Sequence, residues 1–237
     1  VEVFTPGKGG PAIQPHLRSE PEIANRGWRD YGNRRGLQRL AWLTESAGIT
    51  ATAVVNSDAA QDAHIAQVLR ASTWELGAHG VNNSQGNAGL DRAEEERIFG
   101  RALGELEQVF GERPRTWLTP GFSVTPHTAE IAARAGVKVL LDFVDDDVPY
   151  ELVHEASGER ILCLPYSLET NDISLVLALH HDPESYARAV EAHVLQLARE
   201  PGATKVVCLG MHTFLAGAPA RAAALKEALL RLQKASG

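Results

Sequence analysis

Short runs of β-branched and apolar residues alternate along this chain with longer stretches whose apolar positions recur every three to four residues. ITATAVV (49–55), WELGA (74–78), RTWLT (115–119), VKVLLDF (137–143), ILCLP (161–165) and KVVCLG (205–210) have the length and composition of strands. VEVF (1–4) reads as the tail of a further strand whose beginning is expected to be absent. The intervening segments read as helices. RRGLQRLAWLTESAG presents Leu37, Leu40, Ala41 and Leu43 on one face, with Asn33 as the expected cap and Gly48 as the stop. Asp58 precedes a helix expected to run to about Ala71. Asp91 opens DRAEEERIFGRALGELEQVFG, with Ile98, Leu103, Leu106, Val109 and Phe110 as its buried stripe. Further helices are expected over HTAEIAARAG, from Pro183 to about Arg199, and over the Ala/Leu-rich end. The Pro- and Gly-rich residues 5–27 read as a long ordered loop.

Seven strands separated mostly by helices predict a parallel sheet with helical crossovers. A closed or nearly closed (β/α) barrel fits this order best, and an open doubly wound sheet is the alternative. No repeat, low-complexity stretch or linker interrupts residues 1–237, so a single domain is expected.

Composition narrows the partners. The chain carries a formal net charge of -7 and no Lys/Arg cluster, which disfavours nucleic acid. No apolar window is long enough to cross a membrane, and no signal peptide opens the chain, so a cytoplasmic location is expected. Cys163 and Cys208 each sit in an apolar run and read as buried free thiols; neither has the neighbour that a cysteine zinc site needs. No Gly-rich phosphate loop follows the first strand and no GxSxG elbow appears.

In α/β folds of this kind the chemistry sits at the carboxyl ends of the strands. Those ends carry Glu2, His79 with Asn83, Thr119-Pro120-Gly121, Asp145–Asp147, Glu169 with Asn171 and Asp172, and His212. Each has a plainer reading alone: a structural histidine, a solvated acidic loop, a side chain that turns the backbone. Their shared position at one rim is what points to a site.

The ordered set WRDYGNRRGLQRL, WELGAHGVNNS, GERPRTWLTPGFSVTPHT, DFVDDDVPY, LPYSLETNDI and GMHTFLAGAPAR resembles the polysaccharide deacetylase superfamily, most closely its branch of metal-independent allantoinases and cyclic imide hydrolases. The resemblance implies a distorted (β/α) barrel of about seven strands. It matches Glu2 to a first-strand carboxylate, His79 to the first metal-binding histidine of a His-xxx-His pair, and His212 to the histidine of the last motif. Asn83 stands where the second histidine belongs. A metal, if held, would use Glu2, His79 and Asn83, but the substitution argues against zinc and for no cofactor.

The expected activity is hydrolysis of a carbon–nitrogen bond in a small cyclic amide, imide or ureide. Glu2 or Asp146 is the expected base and His212 the acid for the leaving nitrogen. His79, Asn83, Trp28, Pro120, Asn171 and Arg221 are the expected substrate-binding residues. Asp30 and Tyr31 are candidates for the pocket wall, and Arg221 is as readily a salt bridge at the last helix's first turn. Two other classes stay open: a metal-dependent deacetylase of N-acetylated sugars, and a non-catalytic ligand-binding relative, favoured only if Glu2 and His212 fail to meet. The partner is expected to be a small molecule, and the resemblance implies a homo-oligomer.

Overall fold

The computed structural model describes residues 1–5 and 22–235. The middle of the segment read as a loop, 6–21, lies outside the described residues.

Six strands form one sheet in the order β1-β2-β3-β4-β6-β5: β1 Thr52–Val55, β2 Glu75–Ala78, β3 Thr116–Trp117, β4 Val139–Leu140, β5 Tyr150–Val153 and β6 Arg160–Cys163. All neighbours pair in parallel except the β5–β6 hairpin. This mostly parallel α/β sheet is the expected class, with two differences in detail. Residues 1–4 and 205–210 are not ladder strands. They are extended segments fastened to their neighbours, the first through Val1 N to Val54 O and Asn56 N to Val1 O beside β1, the second through Val206 N to Asp147 O and Asp172 N to Gly210 O. β5 is not among the expected strands; it starts at the last residue of the acidic loop VDDDVPY. Its period-two pattern is legible afterwards: Tyr150 and Leu152 pack inward while Glu151 and Val153 face water.

Side-chain caps start several of the helices. Asp91 and Glu94 make a reciprocal capping box on α5 (Arg92–Phe110), and Gly111 ends it in the left-handed region at φ 79°. α6 (Thr128–Arg134) and α7 (Pro183–Arg199) start near their expected positions, the latter capped by Asp182. The helix expected from Asp58 is two: α3 (Ser57–Ala60) and α4 (Ala63–Ala71), the second capped by Asp62, whose carboxylate accepts from His64 N and Ile65 N.

The first helix departs most from expectation. α1 (Ile23–Tyr31) passes through a π-helical turn, Gly32–Gly36, straight into α2 (Leu37–Ser46). Asn33 is therefore not a cap. It is buried, donating from Nδ2 to Glu2 O at 2.9 Å and accepting at Oδ1 from Thr213 Oγ1 at 3.1 Å. Glycines permit this. A Cβ on Gly36 would sit 1.9 Å from Thr213 O, and one on Gly217 would sit 2.6 Å from Gly36 Cα. The π turn thus clamps the loop after His212 from a distance of some 180 residues in sequence.

The main core lies between β1–β4 and α3–α6, where Phe99 and Trp117 stack with ring centroids 3.7 Å apart. A second cluster (Leu40, Leu175, Tyr186, Val190, Ala216, Leu225) joins α2, α7 and α8 (Pro219–Ala235). Cys163 is a buried free thiol and Cys208 a half-buried one. Among the described residues no helix is long and apolar enough to cross a membrane.

Candidate active site

Glu2, His79 and His212 converge at the strand ends. The Glu2 Oε1 atom lies 3.3 Å from His79 Nε2 and 3.4 Å from His212 Nε2. All three line one end of a cavity of about 490 Å³ that runs between residues 1–2, β1 and 206–214. Their approach has identifiable causes. Asn83 N donates to Val3 O and Asn33 Nδ2 to Glu2 O, fixing the backbone that carries the carboxylate. His79 Nδ1 lies 2.6 Å from Leu118 O. A carbonyl can only accept, so Nδ1 carries a hydrogen, and Nε2 is the atom turned to Glu2. Gly80, at φ 62°, then lets Pro120 close over it, since a Cβ there would be 2.9 Å from Pro120 Cγ.

His212 is held by Asp172, a residue with no exposed surface. Asp172 Oδ1 is 2.5 Å from His212 Nδ1, while Oδ2 accepts from His212 N at 2.8 Å and Ala216 N at 3.0 Å. The imidazole therefore has its ring plane and its Nδ1–H fixed, with Nε2 toward Glu2. Burial by itself favours the neutral ring, but the carboxylates of Asp172 and Glu2 outweigh it and raise His212 from 6.5 to about 10. Burial likewise opposes charge on Glu2; the His212 cation, and hydrogen bonds from His212 and His79, reverse that and hold Glu2 well below the ordinary carboxylate range. At neutral pH the pair is a carboxylate facing an imidazolium.

Asn56, unmarked in the sequence analysis, is the hub beneath these groups. It has no exposed surface; Nδ2 donates to His79 O and to Asn83 Oδ1 (3.0 Å), and Oδ1 accepts from Val3 N at 2.9 Å. Its signal in the sequence was a lone amide directly after the apolar TAVV of β1. Asn56→Ala strands these partners in a buried place, and should lower unfolding free energy by about 3 kcal/mol, read by chemical denaturation.

The other expected residues divide. Asn83 is at the site's edge, its carbonyl oxygen taken by Asn56. Trp28 reaches the site indirectly: its ring meets Phe214 edge-on at 4.9 Å, and Phe214 lies 5.6 Å from His212. Pro120 is buried against Gly80. Asn171 is buried and bonded to Tyr166 OH and Ile173 N. Arg221 donates from Nε to Leu215 O at 2.7 Å, a local tie at the start of α8. Asp30 is exposed and Tyr31 accepts from Arg39. Asp146 is exposed and its Oδ1 accepts from Asp147 N and Val148 N, the behaviour of a turn residue; it is not among the residues lining the cavity with Glu2. The buried acids near these strand ends are instead Asp172 and Asp142. Asp142, raised by burial to about 7, accepts from Thr119 N at 2.6 Å and pins the Thr119–Pro120 turn.

A metal-binding reading needs a third donor beside Glu2 and His79. The amide oxygen of Asn83 is a neutral, weak metal donor that already accepts from Asn56 Nδ2, and among the described residues no three His, Cys, Asp or Glu side chains are arranged to hold an ion. This donor set does not fit a tetrahedral zinc site.

The family model for polysaccharide deacetylase matches residues 30–140. Among solved structures, the chain is 26% identical to PuuE allantoinase, covering 90% of this chain and 70% of that one with a TM-score of 0.79. It is 25% identical to a protein from Pseudomonas aeruginosa PAO1 described as a probable polysaccharide deacetylase, over 90% of this chain and 72% of that one, TM-score 0.79. A family 4 carbohydrate esterase pseudoenzyme from Bacillus anthracis shares the fold at 13% identity, covering 86% of this chain and 57% of that one, TM-score 0.59. No curated protein matches the chain. The family match and the two structures at 25–26% identity make the chain similar to polysaccharide deacetylases and to an allantoinase.

Proposed function

We propose, from this similarity to polysaccharide deacetylases and an allantoinase, that the chain hydrolyses a carbon–nitrogen bond other than a peptide bond, opening a small cyclic amide, imide or ureide of the allantoin type. The observation that carries the reading is the placement of one Glu2 carboxylate oxygen between His79 Nε2 and His212 Nε2, with His212 fixed by Asp172.

A carboxylate beside an imidazolium is the protonation state that general base and general acid require. Glu2 takes a proton from water as its oxygen attacks the substrate carbonyl carbon. The tetrahedral intermediate collapses with cleavage of the C–N bond while His212 Nε2 gives its proton to the leaving nitrogen. Glu2 can then return its proton to His212 across their 3.4 Å separation, which resets the pair. Asp172 steadies the imidazolium throughout, and His79 Nε2 positions the Glu2 carboxylate.

Two observations favour a small cyclic substrate over a polysaccharide. Asn83 offers a neutral amide where a metal site would want a histidine, and its oxygen already accepts from Asn56. The tryptophans form no groove: Trp117 is buried, Trp74 is bonded to Thr44, Trp42 lies on α2 against Lys226, and only Trp28 approaches the site. The meeting of Glu2 with His212 argues against a non-catalytic relative. A hydrolysis screen of allantoin, hydantoin, succinimide and chitooligosaccharides tests the reading. Ring opening of a cyclic member is expected; acetate release from the oligosaccharides alone would overturn it.

A further inference from the structure

Asn171 and Asp172 are adjacent, and each holds a different side chain of the cavity. Asp172 holds His212. Asn171 holds Tyr166: Nδ2 lies 3.1 Å from the phenol oxygen. The amide cannot be turned round, because its Oδ1 accepts from Ile173 N at 2.7 Å. The nitrogen end therefore faces Tyr166 and donates, which occupies a lone pair of the phenol and leaves the phenol hydrogen to seek an acceptor elsewhere. Among the described residues the Tyr166 hydroxyl is given no acceptor.

The surroundings are shaped for that hydroxyl. A Cβ on Gly210 would lie 1.9 Å from it, so only glycine fits there, two residues before His212. The ring is 7% exposed and packs edge-on at 4.9 Å against Phe122, a non-glycine residue held at φ 53°. Tyr166 lines the same cavity as Glu2, His79 and His212. Burial, and the negative charges of Asp172 and Glu2, push the phenol's pKa up, so it remains a proton-bearing donor at any working pH.

We infer that Tyr166, oriented by Asn171, is the oxyanion donor of the hydrolysis proposed above, its O–H pointing across the cavity at the substrate carbonyl oxygen as that oxygen becomes negative. The inference rests on the proposed reaction and adds the third component it lacked, since Glu2 and His212 supply the base and the acid but nothing for the developing charge. Asn171 is then a positioning residue rather than a direct substrate contact.

The test is Tyr166→Phe in the full chain, with steady-state ring opening of whichever cyclic imide or ureide the wild type accepts, its binding by calorimetry, and thermal unfolding. Phenylalanine keeps the packing against Phe122. The expected result is a fall in kcat of about 10²-fold with KM and binding nearly unchanged, and an unaltered unfolding midpoint. Asn171→Ala should also lower kcat, and the Tyr166→Phe/Asn171→Ala double variant should be no slower than Tyr166→Phe, because one acts through the other. A Tyr166→Phe enzyme with wild-type kcat overturns this inference and leaves the proposed function standing. Additive losses in the double variant overturn the orienting role. A wild type that neither opens nor binds any cyclic member sinks the proposed function, and this inference with it.

Discussion

Exchanging Glu2 for glutamine is expected to lower kcat/KM by about 10³-fold, the loss typical of removing a general base, while the fold persists. Glutamine preserves the shape of the side chain, so the backbone ties of Glu2 O to Asn33 and of Val3 to Asn56 and Asn83 are untouched. What disappears is the charge. Without it His212 loses one of the two carboxylates that hold its proton, so the variant's residual activity should also decline at a lower pH than the wild type's. Stopped turnover with retained cooperative unfolding is the expected combination. Wild-type turnover in Glu2→Gln would remove the carboxylate from the chemistry.

The second large effect is expected at Asp172→Asn. In the wild type His212 is raised to about 10, chiefly against the opposing effect of burial and through Asp172 and then Glu2, so the alkaline limb of kcat/KM should lie near pH 10. The variant loses the stronger attraction. Its alkaline limb should move down toward the ordinary 6.5, and kcat at neutral pH should fall by about 10²-fold because the general acid is no longer reliably protonated or oriented. Stability follows with a defined sign. A group bound more tightly by its proton in the folded state contributes stability that is fully present below about pH 6.5 and is lost as the pH rises through about 10. Wild-type unfolding free energy should therefore decline across that window, and the decline should be shallower in Asp172→Asn. An unmoved alkaline limb would dissociate Asp172 from the protonation of His212.

Much of this architecture was readable from pattern alone where local rules govern. The α5 capping box follows from DRAE, the parallel strands from short β-branched runs between helices, and the candidate rim from polar residues at strand ends. What was not readable depends on partners distant in sequence. Asn33 looked like a helix cap because Asn often is one; its actual partners, Glu2 and Thr213, come from opposite ends of the chain. Asn56 sits between residues 1–3 and His79, and an isolated amide after a strand does not announce four neighbours. Asp146 stood out in a run of three acids, yet adjacent carboxylates serve solvent and local turns more often than catalysis, and here Asp146 binds its own loop. Asp172 is placed at the rim by its position after a strand, with a chain-turning role as its plainer reading and no partner assigned. Its role as partner to His212 required the 40-residue separation between them to be folded away.

The proposed reaction has Glu2 and His212 open a cyclic C–N bond using this chain's own groups. It is tested most directly by measuring ring opening on protein stripped with a strong chelator, dialysed, and assayed beside untreated and zinc-supplemented samples. The same rate is expected in all three, with loss of that rate in Glu2→Gln. A stripped protein that is inactive until zinc is restored would contradict it.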